Sequence, residues 1–415
     1  MINKSLLFLL LSFCIPPFII AQEFEKINGY VTAHNDTTRI AYAHVTILGT
    51  GIGTVTNING DFQIKGNFNL QKDSLVISHI EYEKRQIALT ELLADTNHIQ
   101  LNRNKYILTD IIIIPEEQKN KIIKNVIEKI KSNYSDRLYQ SEAFYREVQY
   151  DEKTKTYSRL VEAAMNIQDG KITAPISKMK CSILQFRKSD NFTNEHWGSK
   201  MLKKLIDLPN GLHILLRDNS IRGYKTSKRE GFHNRLRYIN EKQLDSLRIL
   251  GTIRKNNEDI YVFQYSYNEN SSTFYVNKNN YAVLQFDFKC ETENLTLYKG
   301  TYHFKKIDKK YYPAYFSYES ISGIRSNSEG LGMSKTSLTF VNYNLNKKTF
   351  KRLRNKHVLP KDVDLYDNKM KYNESFWDNY NILLEEPLDN KVVSDLEKKN
   401  NLQKQFKNNA KEKFE

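Results

Sequence analysis

Apolar and polar residues alternate along most of the chain. In the stretch AYAHVTIL, which begins at Ala41, the residues Ala43, Val45 and Ile47 share one face. The stretch DSLVISHIEYEKRQIAL, from Asp73, alternates in the same way. Alternation with a period of two is typical of half-buried strands, and no helix of ten residues fits between these strands. Residues 22–115 are therefore predicted to form a β-sandwich of seven short strands.

A helical period replaces this alternation after Pro115. In EEQKNKIIKNVIEKIKSNY the apolar residues recur at steps of three and four, which places them on one stripe of a helix. The stripe contains Ile122, Ile123, Val126, Ile127 and Ile130. It is narrow and has no aromatic residue, which favours packing on a neighbouring sheet over a position on a membrane surface. Residues 116–138 are predicted to form a linking amphipathic helix.

Long aromatic strands are predicted to form an antiparallel β domain over residues 139–350. Five to eight strands of about ten residues indicate a strongly curved sheet or an open barrel. Between them, residues 190–241 are less regular, and the stretch LPNGLHILL suggests a short helix. Aromatic residues on both faces have two interpretations: a filled core, or a groove that binds an acyl chain. We favour the filled core. The whole chain is thus predicted to be mainly β.

Residues 351–415 form a separate C-terminal region. It begins within the basic run KKTFKRLRNKH, from Lys347 to His357, which could meet lipid phosphates or could simply be solvated. A docking segment follows, and the Lys-rich end from Lys398 is predicted to be frayed or disordered. The residues predicted to dock on the sheet are Trp377, Tyr380, Leu383 and Leu384.

The first 21 residues have the pattern of a secretory signal peptide. Lys4 precedes an apolar run that ends at Ile20, and Ala21 provides a small residue for cleavage. Two prolines interrupt the run, which is shorter than the ~20 residues that a spanning helix needs. Phe13 precedes Cys14, where lipoprotein processing requires a small residue, so a lipoprotein is not expected. The predicted location is the periplasm or cell envelope.

The formal net charge of the chain is +15, and removal of the signal peptide takes away only Lys4. Export argues against nucleic acid as a partner, although a basic chain could meet anionic lipids or acidic glycans. Most of the surplus is attributed to a composition rich in Lys and Asn. Two cysteines remain, Cys181 and Cys290, and they could form a disulfide only if the fold brings their Cα atoms within ~7 Å. The sequence leaves this disulfide open.

The glycine-rich stretch GTGIGTVTNINGDF begins at Gly49. Counted from Gly49, the third glycine of a dinucleotide-binding fingerprint falls on Thr54, and no Gly-Lys-Ser or Gly-Lys-Thr is present for a P-loop. Asn59 and Gly60 instead predict a two-residue hairpin turn, because both residue types tolerate a positive φ. Gly53 is predicted to allow a bend at the sheet edge.

Residues 27–114 resemble the carboxypeptidase regulatory-like domain family. The resemblance rests on the motifs GTVTNINGDF and LVISHIEYE, although Glu81 stands where members often carry glycine. Members are transthyretin-like sandwiches, common in exported proteins of Gram-negative bacteria. The resemblance implies a non-catalytic accessory module.

Two looser resemblances concern the rest of the chain. The hairpin FYVNKNNYAVLQFDF resembles the half-barrel of periplasmic lipoprotein carriers and related lipid-binding proteins. The segment YNESFWDNYNILLEEPLDNKVVSDLEKKNNLQKQF, from Tyr372, resembles the C-terminal segment of larger exported proteins in which the same sandwich precedes an uncharacterised β-rich domain.

No catalytic motif occurs in the sequence. His-Glu-x-x-His, Cys-x-x-Cys and Gly-x-Ser-x-Gly are all absent, so no catalytic, cofactor or metal site is predicted. The loop ISGIRSNSEGLGMS, with Arg325 and Glu329, is interpreted as a plain connection in preference to a ligand-contacting element. We expect a non-enzymatic envelope protein whose partner is a protein, a glycan or a lipid. The alternatives are a periplasmic carrier of a hydrophobic ligand and a hydrolase with a dispersed site.

Overall fold

The computed structural model describes residues 25–40, 43–50, 52–56, 59–79, 82–92, 94–103, 115–151, 154–172, 174, 176–192, 211–217, 221–222, 247–255, 258–292, 295–322, 332–357, 364–380 and 390–411. Several predictions fall outside these residues. They are the signal peptide over residues 1–21 with Cys14, the loop that contains Arg325 and Glu329, and the docking of Leu383 and Leu384.

Seven strands form the predicted N-terminal sandwich. They are β1 Glu25–Ala33, β2 His44–Ile47, β3 Gly53–Val55, β4 Asp61–Gly66, β5 Ser74–His79, β6 Tyr82–Ala88 and β7 Asn97–Leu101. One sheet has the order β4-β1-β7 and the other β3-β2-β5-β6. The alternating apolar residues, among them Val31, Val45 and Leu75, lie in a single buried core. The alternation arises because successive side chains of a strand point to opposite faces.

The predicted hairpin at Asn59 and Gly60 is wrong. Strand β3 pairs with β2, whereas β4 pairs with β1, so the two residues lie on a crossover between sheets. Gly60 has the positive φ that was expected, 76°. At Gly53 an added Cβ would lie 2.8 Å from Cγ2 of Thr46, so this glycine permits close approach of β2.

Helix α1 spans Glu116–Asn133 and confirms the predicted amphipathic helix. It ends five residues before the predicted boundary, because Tyr134 adopts an extended conformation. The Tyr134 side chain is buried, and its hydroxyl donates to the carbonyl oxygen of Val283 at 2.6 Å. Lys119, in the first part of the helix, donates to the carbonyl oxygen of Leu247. The helix therefore crosses one face of the second domain.

Ten antiparallel strands form that second domain, two more than the largest number predicted. They are β8 Tyr139–Asp151, β9 Thr156–Asp169, β10 Lys180–Lys188, β11 Leu247–Lys255, β12 Glu258–Tyr267, β13 Asn270–Asn277, β14 Val283–Thr292, β15 Leu295–Ile307, β16 Lys310–Ser322 and β17 Gly332–Asn344. Their order is β10-β9-β8-β17-β16-β15-β14-β13-β12-β11. Strands β10 and β11 do not pair with each other, so the sheet stays open and is not a closed barrel.

Helices cover both faces of this sheet. On one face lie α1 and a short helix, α2 Gly211–Arg217, within the stretch where a short helix was predicted. Leu212, Leu215 and Leu216 of α2 are buried in the same core as the apolar stripe of α1. We refer to this side of the sheet as the α1 face.

The C-terminal region covers part of the opposite face through α3 Glu374–Asn379, α4 Asn390–Leu396 and α5 Leu402–Lys411. As predicted, Trp377 and Tyr380 are buried, and they pack with Phe144 and Ala164 of the sheet. The prediction of a frayed end from Lys398 is wrong for residues 398–411, the part of that end that the structure describes. Leu402 and Phe406, one helical turn apart, pack with Val148 and Leu160 of the sheet. This pair of apolar residues fixes α5 despite its many lysines.

Cys181 and Cys290 are both buried and free, so the disulfide that the sequence left open does not form in this structure. Cys181 lies on β10 and Cys290 on β14, with five strands between them. At about 4.8 Å per strand, the two Cα atoms lie much farther apart than a disulfide permits. Within the described part of the chain, no helix is both long and apolar enough to cross a membrane.

Candidate functional site

The most prominent feature of the α1 face is a row of aromatic side chains across five strands. We call it the aromatic band. Strand alternation places its members on this one face, because the residues on each strand are separated by even numbers. Its members are Phe274, Phe286, Phe288, Tyr298, Tyr302, Phe316, Tyr318 and Phe340.

Adjacent rings of the band contact one another across the strands. The ring centroids of Phe274 and Phe286 are 4.6 Å apart in a stacked arrangement, and those of Tyr302 and Phe316 are 4.6 Å apart edge to face. Phe340 continues the row with its centroid 5.2 Å from that of Phe316. Such pairs contribute about 0.5–1.5 kcal/mol each beyond the burial of their area. The band is therefore a continuous apolar surface.

The middle of the aromatic band is filled by the protein itself. Tyr302 is 0% exposed, and Phe274, Phe286 and Phe316 are nearly as deeply buried. The apolar stripe of α1 belongs to the same packed cluster. The central part of the band is thus a core, as the sequence interpretation favoured.

One end of the aromatic band is less covered. Tyr298 and Tyr318 are only half-buried, and their stacked rings lie 6.2 Å apart. The Tyr298 hydroxyl donates to Oδ1 of Asn270 at 2.6 Å, beside the turn that connects β12 to β13. Tyr267, at the start of that turn, is 45% exposed. We call Tyr267, Asn270, Tyr298 and Tyr318 the aromatic rim. It combines apolar rings with polar tips, which suits an amphipathic ligand.

Two surface cavities lie elsewhere. One, of about 570 Å³, is formed in the sandwich by Glu25, residues 67–71 and Asp73. The other, of about 740 Å³, lies between Gln185 and residues 371–375 of the C-terminal region. Neither is lined by the aromatic band or its rim.

A buried ion pair lies on the α1 face below the start of α2. Glu147 accepts a hydrogen bond from the Tyr145 hydroxyl at 2.6 Å and another from Arg159 at 2.6 Å. Arg159 also pairs with Asp364 at 2.9 Å. Burial lowers the pKa of Arg159, but Glu147 and Asp364 offset this effect and leave the pKa raised. Burial, together with Glu147, raises the pKa of Tyr145 well above 10.0. Arg159 therefore stays charged and Tyr145 stays protonated.

A second buried cluster lies on the opposite face, under the C-terminal helices. Glu162 is 0% exposed and accepts from Nε of Arg146 at 2.7 Å and from Nε of Arg187 at 2.6 Å. Burial alone would raise the pKa of this carboxyl, but Arg187 and Arg146 more than offset it, so the pKa is lowered. The Arg187 guanidinium also lies 4.8 Å from the ring centroid of Trp377 and 4.7 Å from that of Phe406. Through Arg187, Glu162 thereby connects the sheet to the C-terminal region.

A third buried ion pair, between Asp169 and Arg222, lies at the end of β9. Arg222 donates to Oδ2 of Asp169, and also to the carbonyl oxygens of Lys171 and Ala174 at 3.3 and 2.9 Å. Arg222 and Asp169 are both buried. These contacts connect β9 to the loop that follows it. All three clusters balance a buried carboxylate with at least one guanidinium, as buried charges require.

The described residues contain no group of three or more His, Cys, Asp or Glu side chains placed to hold a metal ion. Of the residues that the sequence singled out, Gly53, Asn59 and Gly60 lie in the sandwich, and Cys181 and Cys290 lie on distant strands. The structure therefore brings none of them together at the aromatic rim. Sequence reasoning identified the aromatic richness of β13 and β14, but it did not identify the rim residues or the three ion-pair clusters.

The first domain matches the model of a known family. Residues 27–113 match the model of the CarboxypepD_reg-like domain family, which is a non-catalytic one. The resemblance inferred from the glycine-rich stretch and from LVISHIEYE is thus confirmed for this domain. No curated protein matches the chain.

Solved structures match the chain only loosely. A DUF1329 family protein from Desulfovibrio piger is 10% identical, with a TM-score of 0.23 over 55% of this chain and 92% of that one. A LolA superfamily protein from Nitrosomonas europaea is 14% identical, with a TM-score of 0.22 over 55% of this chain and 97% of that one. Likeness at this level carries no conclusion about the function of the large sheet.

Proposed function

We propose that the protein is an exported, non-catalytic binding protein of the cell envelope, and that it takes a hydrophobic ligand at the aromatic rim. The observation that carries the proposal is the change in exposure along the aromatic band. Its middle is completely buried, whereas Tyr298 and Tyr318 at its end are half-buried, and Tyr267 of the rim is 45% exposed. Exposed aromatic groups that continue a buried apolar surface are a common feature of binding sites.

Several observations support a binding role over catalysis. The first domain matches a non-catalytic family. The buried carboxylates Glu147, Glu162 and Asp169 each bond to an arginine, which leaves them poorly suited to proton transfer. The predicted signal peptide supports export to the envelope.

The packing of the band limits the form that a ligand site can take. Because α1 and the rings fill the middle of the α1 face, we do not propose a deep cavity for a whole acyl chain. A ligand at the rim would stack its apolar part on Tyr298 and Tyr318 and leave its polar part in solvent. The alternative, a binding protein whose partner contacts another surface, requires no ligand at the rim.

Fluorescence of N-phenyl-1-naphthylamine, with displacement by palmitate, tests the rim. The protein is prepared without residues 1–21. We expect saturable binding of the probe, and roughly tenfold weaker binding in Tyr298→Ala and Tyr318→Ala, because each loses a ring face. Tyr275→Ala is the matched control, since Tyr275 is a half-buried tyrosine that packs in a separate cluster on the opposite face. Absence of saturable binding, or equal weakening in the control, would reject the rim as a ligand site.

Export is tested separately from the ligand. Expression of the full chain in a Gram-negative host is expected to give a protein in the periplasmic fraction whose first residue is Gln22. Retention in the cytoplasm with residues 1–21 attached would overturn the envelope assignment. This result does not depend on the outcome of the probe experiment.

A further inference from the structure

The basic run from Lys347 to His357 is held in a defined position on the large sheet. The side chain of Gln168, only 2% exposed, fixes it with both ends of its amide. Nε2 of Gln168 donates to the carbonyl oxygen of Lys351 at 2.8 Å, and Oε1 accepts from the backbone N–H of Leu353 at 2.8 Å. Nζ of Lys180, on the edge strand β10, donates to the carbonyl oxygen of Leu353 at 2.8 Å. The run is thus an ordered segment along the sheet, and we call residues 347–357 the strap.

The turn that leads into this strap is also ordered. Oδ1 of Asn344 accepts from the backbone N–H of Asn346 at 3.0 Å and from the Thr349 hydroxyl at 2.9 Å. Oδ1 of Asn346 accepts from the backbone N–H of Lys348 at 3.1 Å. Side-chain bonds of this kind give a turn a defined shape. The lysines at the turn are therefore presented from a fixed backbone.

The strap concentrates positive charge without compensation. Six cationic side chains occur within ten residues, and all six are exposed: Lys347, Lys348, Lys351, Arg352, Arg354 and Lys356. No Asp or Glu occurs between residues 345 and 360. Among the described residues, none of the six takes part in an ion pair. We call these six residues the basic strap.

We propose that the basic strap is a docking surface for an anionic lipid membrane. Unpaired cations on a fixed backbone avoid much of the entropy loss that flexible chains incur on binding. Juxtaposed Lys and Arg side chains near an anionic bilayer attract it additively, within about a Debye length. The predicted export places the protein among envelope membranes and away from nucleic acid. The proposal goes beyond ligand binding at the rim, and it holds whether or not the rim binds a ligand.

Flotation of the protein with vesicles tests this surface. The protein without residues 1–21 is mixed with vesicles of phosphatidylcholine, or of phosphatidylcholine and phosphatidylglycerol at about 3:1. We expect flotation only with the anionic vesicles, and its loss at about 0.5 M NaCl. Flotation with both kinds of vesicle, or with neither, would overturn the proposal.

A charge-matched pair of variants separates the strap from the overall charge. The strap variant combines Lys351→Gln, Arg352→Gln and Arg354→Gln. The control variant combines Lys72→Gln, Lys309→Gln and Lys404→Gln, which are exposed lysines elsewhere on the chain. We expect the strap variant to bind on the order of 100-fold more weakly, because each charge near the surface contributes roughly fivefold. The control is expected to change by only a few fold. Equal weakening in the two would show that only net charge acts, and would reject the strap.

Two further measurements close the remaining alternatives. Both variants should melt at the wild-type temperature, because the substituted side chains are exposed. The double variant Arg352→Lys and Arg354→Lys should retain binding, since it keeps the charge. Retention of the chain on an acidic polysaccharide such as polygalacturonate, without flotation, would assign the strap to a glycan and reject the membrane.

Discussion

The ring of Phe288 lies against the backbone of Gly300, its partner across strands β14 and β15. A Cβ at position 300 would lie 2.5 Å from Cζ of Phe288 and would also collide with the carbonyl oxygen of Ser317. Real Cβ atoms do not approach so closely, so the glycine is what allows the aromatic band to pack on its sheet.

Gly300→Ala is therefore expected to destabilise the protein by about 1–3 kcal/mol, as overpacking of a core does. Denaturation by urea, followed by tyrosine fluorescence, measures the change. Gly170→Ala is the control, because a Cβ at Gly170 meets nothing within 4 Å. A stability equal to wild type for Gly300→Ala would mean that Phe288 is free to move away.

Replacement of Glu162 should remove both stability and part of its pH dependence. Glu162→Gln leaves Arg146 and Arg187 buried without their carboxylate, at an expected cost of about 3–5 kcal/mol at pH 7. The pKa of Glu162 is lower in the folded chain than its ordinary value of 4.5. The ionised form therefore stabilises the fold fully above pH 4.5, and this contribution is lost as the pH falls through the lowered pKa.

Urea denaturation between pH 7 and pH 3 measures this effect. The stability of the wild type should fall more steeply below pH 4.5 than that of Glu162→Gln. Glu374→Gln is the matched control, because Glu374 pairs with Lys407 at the surface, where ion pairs contribute little. Parallel pH curves for wild type and Glu162→Gln would contradict the assigned role.

The docking of α5 depends on Phe406. Its ring is buried and lies against the Arg187 guanidinium, with 4.7 Å between Cζ of Arg187 and the ring centroid. Phe406→Ala is expected to remove about 3–5 kcal/mol of local packing, enough to release the helix. Hydrogen exchange in residues 402–411 should accelerate strongly, whereas Lys404→Ala, an exposed change on the same helix, should leave it slow. Equal exchange in both variants would mean that other contacts hold α5.

The two cysteines of the β domain should react only after unfolding. Burial raises the pKa of the Cys181 thiol to about 12, and Cys290 is also buried. Iodoacetamide at pH 8 is expected to leave both thiols unmodified in the native protein. In urea without a reductant, peptide mapping should find both alkylated. An unmodified, disulfide-linked pair of peptides would contradict the free thiols of the structure.

The sequence predicted those features that depend on near neighbours along the chain. The stripe from Ile122 to Ile130 has a helical period by itself, and it packs on the sheet as expected. The same holds for the alternation at Val45 and Ile47 in the sandwich. Such patterns can be recognised in the sequence because the backbone geometry of a helix or a strand fixes its period.

Features that depend on distant partners could not be predicted in this way. Asn59 and Gly60 have the residue types of a hairpin turn. The flanking strands β3 and β4, however, pair with strands of two different sheets and not with each other. Arg187 gave no sign that it would bond to Glu162 and contact Phe406 of the tail. The lysines beyond Lys398 indicated disorder, and only the position of the Val148 and Leu160 side chains explains why α5 is docked.

The pairing of β8 with β17 joins the first strand of the large sheet to the last. Tyr145, for example, lies opposite Leu338, so nearly the whole domain must be synthesised before this pair can form. Contacts of such long range make folding slow, and they leave strand edges open in the meantime. The predicted export requires an unfolded chain, and this order of events delays folding. Until residue 344 emerges, β8 cannot pair with β17, so strands β8–β10 stay separate from strands β11–β16.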